Sequence, residues 1–307
     1  MATLTEQLKI DKSVLEENVI TATTKNNDVF DMLLPFIEET AEEICENVLG
    51  EVGMAALDSD VKLLSLTQRV ICRKAFGENI SSLDLVLTAT GFGIVSTQDT
   101  APASKQRVAA LKTQVERQYL ESNDKLLVYL STISDWGHSS VSVKCIPSIL
   151  FLYSDFCSYC YYDTTHSSQN GFFNTTTITT VVDRYLIEGR PTMKEFLYAQ
   201  SGFKEIDLLL SRFFGPLFVH SILSHLRLHD YTINQEICIE MIKVLIGKIF
   251  KGQKSLNLYR DTLFDILSFM KLHQEDFPSF FSSSEWKAMN FQDYENTKDS
   301  PLFIFNG

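Results

Sequence analysis

The chain has 307 residues, of which 45% are hydrophobic and 21% charged. This balance is typical of folded globular proteins and excludes an intrinsically disordered chain. Because a single hydrophobic core stops growing at roughly 250–300 residues, two domains are expected. The formal net charge is −12, with the excess acid concentrated in residues 1–60. Such a surface repels phosphate, so sequence-specific binding of nucleic acid is not expected, although acid would suit the lining of a DNA channel.

The sequence gives no sign of export or of a membrane. Its first residues lack a basic region followed by an uninterrupted apolar run, so no secretory leader is expected. The most apolar stretches, around residues 146–153 and 241–250, are far shorter than the roughly 20 residues that cross a bilayer. Six irregularly spaced cysteines fit reduced core thiols in a cytosolic setting better than a disulfide scaffold.

Two helices are predicted near the start of the chain. In residues 28–49, apolar side chains recur at three- and four-residue intervals with glutamates between them, which predicts an amphipathic helix ended by Gly50. In residues 60–76, a second apolar stripe predicts a helix for which Gly77 supplies the stop.

The apolar period changes between about residues 83 and 96. Leucines alternate with other residues, and Thr90-Gly91 then offers a turn, which predicts a β-hairpin or a pair of extended arms. We expect this insertion to contact other proteins. The apolar residues nominated for that contact are Leu85, Leu87, Phe92 and Ile94.

Further helices are predicted downstream. A pattern from about residue 103 to 132 predicts a long helix, in which the polar segment Glu121–Asp124 favours a bend or a break. Another helix follows Trp136, with Pro147 in its first turn or at a kink. In the second half, a helix is predicted from Pro191, with breaks at Gly202 and at Gly215-Pro216, and Leu197 is one of its apolar residues. Two more helices are predicted over residues 233–250 and 256–272.

These elements predict a mainly α protein: a helical bundle with an inserted β-hairpin or extended arm, followed by a second helical domain. Residues 1–165 form the acidic first domain, 166–180 a linker rich in Ser and Thr, 181–285 the second domain and 286–307 a C-terminal tail. The tail ends in apolar residues on a polar tether, which is typical of a segment that docks on a neighbour. Its candidate contact residues are Leu302, Phe303, Ile304 and Phe305.

Candidate chemical sites are few. Cys157 and Cys160 form a C-x-x-C that a redox pair or half a zinc site would use, but it falls late in an aromatic helical segment and no second pair follows at finger spacing. His225 and His229 stand one helical turn apart, without the glutamate of H-E-x-x-H. Structural roles are favoured for both pairs, so no catalytic residue, metal or cofactor is expected.

The order of segments in residues 28–165 resembles a known family. The segments are FDMLLPFIEETAEEICENVLG, LLSLTQRVICRKAF, LDLVLTATGFGIVSTQDTAPASKQRV and ALKTQVERQYLESNDKLLVYL, followed by Trp136. They resemble the head–tail connector (adaptor or neck) proteins of Bacteroides-type tailed phages and prophages. The stretch from Leu87 to Val108 is the most distinctive.

The resemblance implies a structural virion protein at the neck, assembled in the host cytoplasm. It implies a homo-oligomeric ring, commonly of about twelve copies, that binds the portal protein and the tail or neck proteins without an enzymatic activity. A cytosolic helical scaffold or regulatory protein that binds other proteins is the alternative. An enzyme using the cysteine or histidine pair is a third reading.

Overall fold

A computed structural model describes residues 3–19, 28–83, 85–88, 91–94, 104–162, 187–188, 191–250 and 256–290. The predicted mainly α class is confirmed. The elements of the first half are α1 Leu4–Gln7, α2 Lys12–Asn18, α3 Asp28–Ile44, a π-helical turn Cys45–Leu49, α4 Gly50–Leu57, α5 Val61–Asn79, β1 Leu85–Thr88, β2 Gly91–Ile94, α6 Lys105–Ser131, α7 Ser134–Gly137 and α8 Ser140–Cys145.

The remaining described elements are α9 Tyr153–Cys160, β3 Tyr161–Tyr162, β4 Ile187–Glu188, α10 Met193–Phe214, α11 Pro216–Leu228, α12 Ile233–Phe250, α13 Leu256–Leu272, a 3-10 turn Gln274–Asp276, α14 Pro278–Phe281 and α15 Ser284–Met289. The two-residue strands β3 and β4 pair in parallel. None of the helices in these described ranges has the length and apolar character needed to cross a membrane.

Helices α5 and α6 form an antiparallel pair in the first half. Near the start of α5, the Tyr129 hydroxyl donates to the Asp60 carboxylate across 2.8 Å, and Asp60 also caps α5 by accepting from the backbone N–H of Leu63. Further along, Arg73 Nη1 donates to the carbonyl of Gln118. The start of α5 thus lies beside the end of α6, and the end of α5 lies nearer the start of α6. The connection over residues 80–104 therefore begins and ends at the same end of the helix pair.

The predicted stop at Gly77 is wrong, because α5 continues to Asn79. A Cβ at Gly77 would lie 3.1 Å from a methyl group of Val115, so this glycine permits close packing between α5 and α6. Of the bend or break predicted at Glu121–Asp124, the break is absent, since α6 runs unbroken through this segment. Within that segment, the Ser122 hydroxyl donates a hydrogen bond to the carbonyl oxygen of Gln118, one turn back along the helix.

Two buried cores are present in the described part of the chain. The first contains side chains from Leu8 to Ile146, and the second contains side chains from Ile149 to Phe280 together with Leu120 of α6. The chain therefore passes from the first core to the second at Pro147, which lies between α8 and α9. The sequence predicts a single helix here, with Pro147 in its first turn or at a kink, and the structure has two helices instead. The predicted linker, residues 166–180, lies outside the described residues.

The second core is rich in aromatic rings. Phe214, at the end of α10, has its ring centroid 5.0 Å from that of Phe218 and 5.5 Å from that of Phe280. Such pairs contribute about 0.5–1.5 kcal/mol each beyond the apolar area that they bury. Trp286 packs on Phe281 with centroids 4.9 Å apart, so this cluster continues into the range predicted as the tail.

Aspartates hold the segment that joins the two cores. The Asp124 carboxylate on α6 accepts from the backbone N–H groups of Tyr153 at 3.0 Å and Ser154 at 2.8 Å, and so caps α9. The Asp207 carboxylate on α10 accepts from the N–H of Ile149 at 3.3 Å. Burial raises the pKa of both carboxyls to about 6, against the hydrogen bonds that lower it.

The two cores also touch through backbone. A Cβ built on Gly137, in α7, would lie 2.4 Å from the carbonyl oxygen of Arg227, in α11. The Arg227 guanidinium in turn donates to the carbonyl of Ile146 through Nη2 at 2.9 Å. Leu223 and Leu226 pack against both cores. The cores are therefore joined by close contact and not by the chain alone.

Candidate functional site

The insertion between α5 and α6 contains the paired strands β1 and β2. Their antiparallel register pairs Leu85 with Ile94 and Leu87 with Phe92. These four residues are the ones that the sequence nominates for protein contact. Because successive residues of a strand alternate between faces and paired residues share a face, the register assigns all four positions to one side of the two-stranded ribbon. The opposite side has the pairs Val86–Gly93 and Thr88–Gly91.

The apolar residues nominated in the C-terminal tail are Leu302, Phe303, Ile304 and Phe305. They lie outside the described residues.

Four of the described cysteines sit in surroundings that disfavour the thiolate. Burial raises the pKa of the Cys45 and Cys145 thiols to about 11, and of the Cys72 and Cys238 thiols to about 12. These four thiols are protonated at neutral pH and are weak nucleophiles and weak metal ligands. In the C-x-x-C, Cys157 is partly buried against the second core, and the side chain of Cys160 is outside the described part.

The histidine pair lies at the end of α11, where each imidazole has a neighbour of its own. His225 Nδ1 lies 2.9 Å from the carboxylate of Asp230. His229 adopts the left-handed conformation, with φ 49°, that ends the helix, and its ring stacks edge-on against Tyr231 at a centroid distance of 5.1 Å. These contacts give both histidines a role in closing the helix end.

A third group was not singled out from the sequence. His273, Glu275 and Asp276 bring potential ligand atoms within 4.8 Å of one another after α13. Asp276 is already engaged, because its carboxylate accepts from Asn234 Nδ2 at 2.7 Å and its carbonyl accepts from Gln235 Nε2 at 2.8 Å. The group therefore ties the end of α13 to the start of α12, and exposed acidic groups of this kind are common without an ion.

One groove, of about 690 Å³, lies between α5, α6 and the loop before α9. On one wall the Lys62 ammonium lies 4.5 Å from the centre of the Tyr129 ring. On the other, Asp124 directs both carboxylate oxygens to the amides at the start of α9. Asp124 thus holds α9 on α6, and Lys62 contacts α6 from α5.

A smaller groove of about 460 Å³ runs between α10 and residues 144–151. Its walls carry Lys144 and Phe151 on one side and Leu197 and Lys204 on the other, and we call it the basic groove. Leu197, one of the apolar residues predicted for this helix, lies outside the core, since it is 57% exposed. On the same helix, Leu208 is 52% exposed. The signal missed in the sequence is the spacing of Leu197, Lys204 and Leu208, which follows a helix face other than that of the core residues.

The outer side of α3 has the opposite charge. Met32 and Phe36 are 47% and 37% exposed, and Glu39 and Glu42 follow them at three-residue steps on the exposed side. We call these four residues the acidic face. The inner side of α3 buries Leu33, Ile37 and Ala41 in the first core, so the helix is amphipathic as predicted and yet carries apolar groups on both sides.

The fold and these surfaces define a mainly helical, two-core protein with exposed apolar and charged side chains on α3 and α10. One family model matches residues 32–145, the range from α3 to the end of α8; it describes a family of unknown function, DUF6712. No curated protein and no solved structure matches the chain.

Proposed function

We propose that the chain is a structural virion protein, a head–tail connector or neck ring subunit. It would bind the portal protein on one side and tail or neck proteins on the other. Support comes from the order of segments in residues 28–165 that resembles the connector family. The match to a family of unknown function over residues 32–145 falls within the same part of the chain.

The observation that carries the proposal is the insertion of residues 80–104 at one end of the α5–α6 pair. Two antiparallel helices need a loop of only about 2–5 residues, and structureless connections beyond about 12–15 residues are usually functional or disordered. This connection contains a two-stranded ribbon instead. An isolated two-stranded ribbon is marginally stable in water, so a ribbon with apolar positions on one side gains stability when a partner covers them.

The wider role follows from the same features. A ring subunit needs a rigid body, which the joined cores of this chain provide, and an extension that reaches a neighbour. The excess acid of residues 1–60 would repel phosphate where it faced a DNA channel, so that the genome slides past. We propose location in the neck of the virion, assembly in the host bacterial cytoplasm, and, as the resemblance to the connector family implies, a closed ring of about twelve copies. Portal and tail binding would require no cofactor.

Mass photometry of the full chain, alone and mixed with the portal ring of the phage that encodes it, tests the proposal. The wild type is expected to add several copies to the portal ring. The double variant Leu87→Asp/Phe92→Asp places charge on the apolar side of the ribbon and is expected to lose at least about tenfold in affinity for the portal.

The matched control is Thr88→Asp, which changes the opposite side of the same ribbon and is expected to bind the portal like the wild type. Circular dichroism and thermal unfolding check that all three chains fold alike. Failure of the folded wild-type chain to join the portal ring at any concentration would contradict the proposed function. Equal binding by the double variant would contradict the role assigned to the ribbon.

A further inference from the structure

The basic groove is unusual in a chain of net charge −12. The charged side chains in its walls are Lys144 and Lys204, and its lining includes neither Asp nor Glu. Asp207 is outside the lining, but its carboxylate accepts from the N–H of Ile149, and a hydrogen bond with the lining residue Ser148 lowers its pKa against the larger effect of burial. Glu205, which follows Lys204 on α10, is close to Tyr259 of α13. Burial is the main cause that raises the pKa of Tyr259, and the charge of Glu205 is the second.

The basic groove is also apolar. Leu197 offers more than half of its side chain to solvent, and Phe151 forms part of the opposite wall. Helix α10 has 22 residues and is therefore about 33 Å long, enough to accept another helix alongside it. The groove thus fits an amphipathic helix whose outer face combines exposed apolar side chains with carboxylates.

The acidic face of α3 has this composition. Met32 and Phe36 supply the apolar groups, and Glu39 and Glu42 supply the carboxylates further along the same exposed side. The nearby Glu43 already pairs with Lys74 of α5, so it is not counted among the groups available to a partner.

From this complementarity we infer that the acidic face of one copy docks into the basic groove of a second copy of the same chain. Met32 and Phe36 would pack on Leu197 and Phe151, and the glutamates would lie near Lys144 and Lys204. The two surfaces differ, so the contact is heterologous, and heterologous contacts close into a ring when the rotation between subunits permits it. The inference deepens the proposed ring function and rests on it.

Sedimentation velocity of the full chain over a concentration series, without portal, is the primary test. The wild type is expected to self-associate beyond a dimer, and rising salt is expected to weaken the association because opposite charges are screened. The groove variant Lys144→Glu/Lys204→Glu and the helix variant Glu39→Lys/Glu42→Lys are each expected to raise the dissociation constant at least about tenfold.

Mixing the two variants distinguishes this contact from any other. The helix variant keeps an intact groove and the groove variant keeps an intact acidic face, so the mixture is expected to associate although neither variant does so alone. The control variant is Lys194→Glu, at the start of α10. It also replaces a lysine by a glutamate, but at a position outside the groove lining, and it is expected to associate like the wild type.

The outcomes separate this inference from the proposed function. A chain that joins the portal ring, but whose self-association is unchanged in both variants, would overturn the inferred contact and leave the connector role standing. A chain that self-associates with the expected variant pattern but never joins the portal supports the contact and contradicts the connector role. A wild-type chain that remains monomeric at every concentration overturns the inferred contact.

Discussion

The indole nitrogen of Trp136 donates a hydrogen bond to the carbonyl oxygen of Val48 across 2.9 Å. Val48 lies in the π-helical turn that follows α3, and the side chain of Trp136 is fully buried. Gly50, just after the turn, has φ 62°, and a Cβ there would lie 2.9 Å from a methyl group of Val141. The segment from α7 to α8 therefore holds the turn in place by one hydrogen bond and by close packing.

Replacing Trp136 by Phe should destabilise the first core. The change removes the indole donor and leaves a small void, which together should lower the free energy of unfolding by about 2–4 kcal/mol. Urea unfolding followed by circular dichroism measures this. Trp286→Phe is the control, since Trp286 is only partly buried and should lose less. Equal losses at the two positions would contradict the importance of the bond to Val48.

Replacing Gly137 by Ala should loosen the contact between the two cores. The new Cβ would lie 2.4 Å from the Arg227 carbonyl oxygen, and backbone there cannot move aside cheaply. We expect a loss of about 1–3 kcal/mol or more and a less cooperative unfolding transition. Gly77→Ala is the matched control, because its Cβ meets only a side-chain methyl group at 3.1 Å. A larger effect at Gly77 would argue against a rigid junction at Gly137.

The carboxyl of Asp124 should give folding a distinctive pH dependence. Burial raises its pKa from 3.8 to about 6, so the folded chain binds this proton more tightly than the unfolded chain. The stability contributed by the proton is full below pH about 4, is lost as the pH rises to about 6, and changes no further above that. The stability of the wild type relative to Asp124→Asn should therefore fall through this window, by at most about 1.4 kcal/mol per pH unit.

Chemical unfolding at a series of pH values measures the difference between wild type and Asp124→Asn. Asp276→Asn provides a control of opposite sign. A hydrogen bond from Asn234, followed by one from Thr232, lowers the pKa of Asp276. Its contribution is present above pH about 4 and is lost as the pH falls. The same sign of pH dependence for both variants would show that burial of Asp124 does not dominate its titration.

The ion pair between Lys243 and Asp155 should be costly to break from one side. Lys243 Nζ lies 3.0 Å from the Asp155 carboxylate, and the two side chains are 13% and 7% exposed. Lys243→Met leaves a buried carboxylate without its cation, with an expected loss of about 3–5 kcal/mol. The double variant Lys243→Met/Asp155→Asn should lose less than the single one, as thermal unfolding of both will test. A double variant that is less stable than Lys243→Met would refute this account.

Local patterns in the sequence predicted several elements well. Helices α12 and α13 have the bounds predicted for them, Ile233–Phe250 and Leu256–Leu272, because clear apolar periodicity marks both. The predicted break at Gly215-Pro216 is confirmed, since Gly215 has φ 91° and proline occupies the first position of α11. Here the local chemistry of one or two residues is sufficient to end a helix.

The errors concern residues whose role depends on a distant partner. Gly77 and Gly202 lie inside helices because buried packing outweighs the roughly 1 kcal/mol helix penalty of glycine. Asp124 and Ser122 do not break α6, because the Asp124 carboxylate accepts from the start of α9 and the Ser122 hydroxyl donates to a carbonyl one turn back. Leu197 is apolar and yet exposed. Helical periodicity does not reveal which of two faces is buried when both faces carry apolar residues.

The sequence by itself determined the helical class, the concentration of acid at one end and the alternating apolar residues of the ribbon, because each is a property of neighbouring residues. Only the tertiary structure decided that the chain passes from one core to the other at Pro147 and that Gly137 contacts Arg227. It also decided that a basic groove lies between α10 and residues 144–151. Those features bring together residues far apart in the chain. Their geometry depends on how whole helices pack, which no local pattern encodes.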